Sequence, residues 1–146
     1  MPVIGMEIKS MEAKRSDDIR GNLKINNTPK IKDLKERKIQ SIGKDVIGFD
    51  FEYLCKYENP EKKRGKEVGN IKIEGELLFL TEEDSKKIIK DWKKNKKLPA
   101  AIGIPALNAI LRKCLSKSIN IAEELGLPPP IRFPVARKAS DERYVG

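Results

Sequence analysis

The residues that could carry acid–base or metal chemistry are few in this chain of 146 residues. Histidine, the commonest general base and a frequent metal ligand, is absent. The adjacent carboxylates Asp17 and Asp18 are typical of a turn, and the acidic run Glu82–Asp84 is typical of a helix start. Cys55 and Cys114 fall in different predicted elements, and two cysteines without histidine cannot complete a four-ligand zinc site. We therefore expect no metal centre and interpret each cysteine as a small buried apolar residue.

Nucleotide and nucleophile chemistry have no visible site either. The sequence contains neither a Gly-x-Gly-x-x-Gly run nor a Gly-Lys-Ser/Thr loop, the glycine-rich segments that hold phosphate groups. Cys114 lies among apolar residues of a predicted helix, where a thiol is poorly placed to act as a nucleophile. These absences predict a protein that is not an enzyme and uses no cofactor.

The length and the charge of the chain limit the classes of protein to which it can belong. Hydrophobic residues make up 38% of the chain and charged residues 36%, and 31 basic against 22 acidic residues give a net charge of +9. The length suits a single domain, which we expect over residues 1–136, followed by a flexible tail over residues 137–146. The positive charge favours a polyanionic partner without identifying one.

Targeting signals are missing from the sequence. No apolar run is long enough to span a bilayer, and the first residues lack the basic and long apolar regions of a signal peptide. We expect a cytoplasmic protein without membrane insertion. The abundance of Lys, Glu and Ile favours a thermophilic source, although a genome poor in G and C would give the same bias.

The first part of the chain predicts strands. Residues 6–13 alternate loosely, with Met6 and Ile8 expected on one face and Met11 and Ala13 on the other. A second extended stretch covers residues 23–34, and Pro29 predicts that it is an edge strand or carries a bend or bulge.

Two long strands carry the clearest period of two. Residues 46–57 and 68–80 alternate apolar with polar side chains, and a polar loop between them predicts an antiparallel hairpin. The face expected to be polar is interrupted by four apolar residues, so the sheet needs a cover on both sides. That cover is either another subunit or an extended client polypeptide. The four predicted contact residues are Val46, Leu54, Leu78 and Leu80.

Two helices should follow the strands. Thr81 is the predicted cap of the first helix, which ends in a lysine-rich run. A second, longer helix is predicted after Pro105 and should stop at Gly126, and the proline-rich residues 127–135 must then be extended. Strands followed by helices predict an α+β fold with a four-stranded antiparallel sheet.

The first helix concentrates positive charge. Seven lysines lie between Lys86 and Lys97, with Trp92 among them. In one interpretation Trp92 faces the core and the lysines are simply solvated. In the other, a basic surface contacts the phosphates of RNA or the ribosome. The predicted contacts are Lys93, Lys94, Lys96 and Lys97.

The order of elements resembles the SecB-type chaperone fold. The segment Leu127-Pro-Pro-Pro-Ile-Arg-Phe-Pro-Val is similar to the stretch after the last helix of that family, and residues 97–105 resemble its inter-helix segment. The resemblance implies an oligomeric chaperone without nucleotide or metal, which binds unfolded, apolar and often basic segments in surface grooves. SecB-type export chaperones are acidic, whereas this chain is basic. The leading hypothesis is a SecB-like homo-oligomer that binds extended polypeptide or a dedicated protein partner, and the alternative is an RNA- or ribosome-associated protein.

Overall fold

The computed structural model describes residues 3–16, 19, 21–39, 45–60, 66–82 and 84–131. These residues form an α+β arrangement of four strands and then two helices, as predicted. The predicted tail, residues 137–146, lies outside the described residues. The elements are β1 (Val3–Arg15), β2 (Lys24–Arg37), β3 (Asp45–Asn59), β4 (Lys66–Thr81), α1 (Ser85–Asn95) and α2 (Ala100–Leu125).

The strands form one antiparallel sheet in the order β1-β4-β3-β2. The predicted hairpin of the two long alternating strands is confirmed, since β3 and β4 pair along their whole length. β2 is an edge strand that contains Pro29, which is the placement that a residue without a backbone N–H allows. β1 forms the other edge of the sheet.

The core lies between one face of the sheet and the two helices. The predicted row of odd-numbered β3 side chains is completely buried or nearly so, from Ile47 to Tyr57. Trp92 of α1 packs into the same core, and α2 contributes every fourth residue from Ile102 to Ala122. Cys55 and Cys114 are both free and buried, which confirms their interpretation as apolar core residues.

A β-bulge in β1 makes one prediction wrong. Met6 pairs with Leu77 and Met11 pairs with Ile73, so both face the helices and do not divide between two faces. The register shifts between Ile8 and Ser10, which leaves Lys9 as an extra residue. Because strand side chains alternate with a period of two, one extra residue moves every later side chain to the opposite face.

The first helix begins later than Thr81. Thr81 remains in the sheet, where it pairs with Asp45 and is buried, so it cannot cap the helix. Asp84 is the N-cap instead, and its Oδ1 accepts a hydrogen bond from the Lys86 backbone N–H at 3.1 Å. The prediction of a helix after residue 81 was therefore correct in type and wrong in its cap.

The second helix begins before Pro105, at Ala100, and Pro105 lies inside it. Because proline has no backbone N–H, the helix loses one hydrogen bond at this position. Ile102 and Ala106 are buried on either side of Pro105 and hold this turn against the sheet. Gly126 ends α2 in the left-handed conformation, as predicted. No single helix in the described residues is both long and apolar enough to span a membrane. α1 and α2 meet the two conditions only as a pair, and they are bent by 81° relative to each other.

The proline-rich segment after α2 crosses the end of the sheet. Arg15 of β1 donates a hydrogen bond to the Leu125 carbonyl at 3.0 Å, and the Tyr57 hydroxyl of β3 donates to the Pro128 carbonyl at 2.6 Å. The Asn27 amide of β2 donates to the Pro130 carbonyl at 3.0 Å. Side chains from three strands thus hold the end of α2 and the prolines that follow it against the sheet, and residues 132–135 of the predicted extended stretch lie outside the described residues.

Alkaline pH should destabilise this core. Burial raises the pKa of the Cys114 thiol from 9.0 to about 12, and burial also raises the pKa of Cys55, Tyr53 and Tyr57. In the unfolded chain these groups lose their protons at lower pH than in the folded chain. The unfolded state then binds fewer protons, so the free energy of unfolding should fall as pH rises above about 9. Thermal unfolding between pH 7 and 11 measures this, and a midpoint that stays level above pH 9 would contradict it.

Candidate functional site

The outer face of the sheet, which points away from the helices, is a network of charges. Four carboxylates lie directly opposite one another across the four strands: Glu7, Glu76, Asp50 and Asp33. Basic side chains of β2 form ion pairs with two of them, Glu76 and Asp50. Arg37 Nη2 lies 2.7 Å from Glu76 Oε2, and Lys35 Nζ lies 3.1 Å from Asp50 Oδ2.

Gly48 makes room for this network. Arg37 is on β2 and Glu76 is on β4, so their ion pair must pass over β3, which lies between those strands. A Cβ at Gly48 would lie 2.7 Å from Glu76 Oε2 and 3.1 Å from Arg37 Cγ. A side chain at this position would displace the ion pair, and glycine is therefore required for the pairing across three strands.

The structure does not bring the four predicted apolar contacts into one surface. Val46 is completely buried and offers no area to a partner. Leu78 and Leu80 are half-buried near Val46, whereas Leu54 lies on the other side of the carboxylate row. The outer face therefore presents separate apolar patches between charged rows.

The predicted contact lysines lie in the last turn of α1 and directly after it, at the surface of the protein. Trp92 faces the core with 5% of its surface exposed, and Lys96 Nζ lies 3.9 Å from the centre of its ring, a cation–π contact. Lys93, Lys94 and Lys97 are exposed. A shallow groove of about 470 Å³ lies beside them. It is lined by Lys35, Glu36, Lys86, Ile89, Lys90 and Lys93.

A deeper candidate site lies between the edge strand β1 and α2. It is a groove of about 670 Å³, which we call the β1–α2 groove. Its lining has an apolar part, which we call the floor, and a polar part, which we call the rim. The apolar lining residues are Val3, Met6, Ile104, Pro105 and Ala109, and the polar lining residues are Asn108, Arg112, Lys113 and Ser116.

Ile104, one of the large exposed apolar side chains, lines this groove, whereas Met11 and Ile4 do not. The exposed large hydrophobic residues of the described chain are Ile104 at 59%, Met11 at 53% and Ile4 at 37%, on α2 and β1. Ile4 lies at a second bulge of β1, where the register shifts between Val3 and Gly5. Met11 points to the helix side of the sheet yet stays exposed, so α2 does not fully cover β1. Ile104, exposed beside further apolar lining residues, makes the groove a candidate contact site.

The groove is not predicted by the sequence patterns. Because the second helix is predicted only after Pro105, Ile104 falls in the predicted connection between the helices. The bulge at Lys9 hid the fact that Met6 and Met11 share a face. A signal was present, because Ile104, Asn108, Arg112 and Ser116 recur every fourth residue, as the residues on one side of a helix do.

The groove has the character of a binding surface. Within the described ranges, no group of three or more His, Cys, Asp or Glu side chains could hold a metal ion. The chemistry available at the groove is apolar burial on the floor and hydrogen bonding or ion pairing at the rim.

Comparison with known proteins identifies the fold. No protein-family model matches the chain, and no curated protein matches its sequence. The SecB-like chaperone Rv1957 of Mycobacterium tuberculosis, solved in complex with a ChAD peptide from the Rv1956 HigA1 antitoxin, matches with a TM-score of 0.52. The match covers 93% of this chain and 91% of that chain at 15% sequence identity.

The fold is SecB-like. The resemblance stated from the order of elements is thereby confirmed for the architecture, which is a four-stranded antiparallel sheet followed by two helices. At this level of identity the likeness concerns the fold alone.

Proposed function

We propose that this protein is a non-catalytic, chaperone-like binding protein that holds an extended apolar segment of another polypeptide in the β1–α2 groove. The observation that carries the proposal is the groove itself, an apolar floor beside an edge strand with Ile104 more than half exposed. A SecB-like neighbour in complex with an antitoxin peptide supports the same kind of role. The fold alone would not transfer that function.

Side chains should contribute more to this binding than an added strand. An edge strand can pair with an extended peptide through its free backbone groups. The bulges of β1 at Ile4 and Lys9 interrupt that regular edge, and bulges are a common protection against edge-to-edge pairing. The partner should therefore be held mainly by burying its side chains in the groove.

Suppression of aggregation tests the proposal. A reduced, chemically unfolded client that precipitates on dilution is diluted into buffer with increasing amounts of this protein. We expect light scattering to fall as the protein approaches an equimolar ratio, because exposed apolar segments are held before they associate. Scattering that is unchanged at a large excess of the protein would contradict the proposed function.

The lysine surface of α1 supports a second candidate, contact with RNA or another polyanion. Four of the six residues that line the shallow groove beside α1 are lysines, one of them Lys93, which is the specific observation in its favour. The other predicted contacts, Lys94, Lys96 and Lys97, are also exposed. This candidate does not exclude the first, because the two surfaces are separate and share no lining residue.

A salt titration tests the second candidate. If the lysine surface binds single-stranded poly(U), affinity should fall steeply with salt, and replacing Lys93, Lys94, Lys96 and Lys97 with Glu should weaken binding at least about tenfold. The matched control reverses four exposed lysines of the sheet: Lys9, Lys14, Lys24 and Lys56. Equal losses in both variants would show a general charge effect and remove the α1 site.

A further inference from the structure

The two cations on the rim of the β1–α2 groove have no partner among the described residues. Arg112 and Lys113 are exposed, and neither forms an ion pair or a hydrogen bond with another side chain of the described part of the chain. Four cations on the outer face of the sheet differ in this respect, since Lys32, Lys35, Arg37 and Lys72 each lie within 4.0 Å of a carboxylate. Among the residues that the structure describes, no carboxylate lines the groove. The groove therefore combines an apolar floor with unpaired positive charge.

The spacing of the rim matches an extended chain. Asn108, Arg112 and Ser116 follow one another every fourth residue of α2, which separates them by about 6 Å along the helix axis. Side chains on the same side of an extended segment repeat every second residue, at about 6.7 Å. A segment that lies along α2 can thus place alternate side chains against these three residues in turn. Its other side chains then point to the floor around Met6 and Ala109.

We propose that the β1–α2 groove recognises an extended partner segment in which apolar residues alternate with polar ones and at least one central polar residue is Asp or Glu. The carboxylate would meet Arg112, whose planar guanidinium can donate two parallel hydrogen bonds, and Lys113 would add charge beside it. The side chains of Asn108 and Ser116 would then hydrogen-bond the neutral polar residues of the segment that lie on either side of this carboxylate. This inference rests on the proposed function and names the chemistry of the partner for the same groove.

Three synthetic peptides test the preference. They share the same alternating apolar residues and differ only at two central polar positions, which carry Glu, Gln or Lys. Fluorescence anisotropy at low salt should rank the affinities Glu, Gln, Lys, with about tenfold or more between Glu and Lys. In the double variant Arg112→Gln, Lys113→Gln the Gln peptide should bind as before, and the preference for Glu should disappear.

A matched variant separates local recognition from the overall positive charge of the protein. Lys93→Gln together with Lys117→Gln removes the same charge, from α1 and from a position of α2 outside the groove lining. This control should keep the Glu preference, and a loss equal to that of the Arg112 and Lys113 variant would overturn the inference.

The outcomes distinguish this inference from the proposed function. Equal binding of all three peptides would overturn the acidic preference and leave the function intact. Binding of none would overturn both. A second copy of this chain is the other possible occupant of the groove, and sedimentation of the wild type and of Ile104→Gln tests for it. A wild-type dimer that Ile104→Gln dissociates would show that a second copy fills the groove. That result would also overturn the inference.

Discussion

Gly75→Ala should lower the free energy of unfolding by about 3 kcal/mol, the upper end of the usual cost of overpacking, because the added methyl group overpacks the contact between β1 and β4. A Cβ at residue 75 would lie 2.2 Å from the Glu7 carbonyl oxygen and 3.0 Å from the Ile8 Cα. It would also lie 2.9 Å from Phe51 Cζ in the core. Both backbone contacts belong to β1, so the strand must move away from the sheet, and it carries one wall of the β1–α2 groove.

Gly103→Ala is the matched control for this change. The new Cβ would meet Leu98 Cβ at 3.6 Å, an ordinary contact, and alanine is favoured over glycine inside a helix by up to about 1 kcal/mol. Chemical denaturation should therefore show opposite signs for the two variants. A Gly75→Ala protein within about 1 kcal/mol of the wild type would contradict the close approach of β1 to β4.

Ile104→Gln should weaken binding of an extended apolar polypeptide about tenfold or more with little change in folding stability. The side chain is 59% exposed, so polarity there costs the folded monomer little. Burial of an isoleucine side chain in a contact contributes about 1.5–3 kcal/mol, and 1.4 kcal/mol corresponds to a tenfold change in Kd. Titration of a labelled unfolded client measures the affinity, and a melting curve of each variant checks the fold.

Leu54→Gln is the control on the other face of the sheet. It also replaces a branched apolar side chain with Gln, at a half-buried residue that the sequence predicted as a contact. Unchanged affinity in Leu54→Gln together with weakened binding in Ile104→Gln would favour the groove. The reverse pattern would move the site to the outer face of the sheet.

Local patterns in the sequence predicted the elements well where one side of an element is buried in the core and the other is not. Residues 47–57 alternate because one side of β3 is covered by the helices, and the period of two translated into the correct face without any knowledge of the tertiary fold. The stop at Gly126 and the edge placement of Pro29 rest on backbone chemistry alone. The order of elements, together with the Pro-rich segment after the last helix, then indicated the SecB-like fold.

The groove could not be predicted in the same way. Its walls come from residues about one hundred positions apart, Val3 and Met6 on β1 and Ile104 to Ser116 on α2, and no local period reports that contact. The bulge at Lys9 is a single extra residue that leaves no clear mark in the sequence, yet it reverses the faces of Met11 and Ala13. The passage of Arg37 over Gly48 to reach Glu76 likewise depends on the strand order, which a hairpin pattern does not specify.

Photo-crosslinking from three asparagine positions tests the central claim most directly. A photoreactive residue replaces Asn108 in the groove, Asn120 on α2 outside the groove lining, or Asn26 on the outer face of the sheet, all of which are exposed. Each protein is irradiated with the same unfolded client, and adducts are quantified by mass spectrometry. We predict that position 108 gives most of the adducts. Yields from position 26 or 120 that equal or exceed it would contradict the assignment of polypeptide binding to the β1–α2 groove.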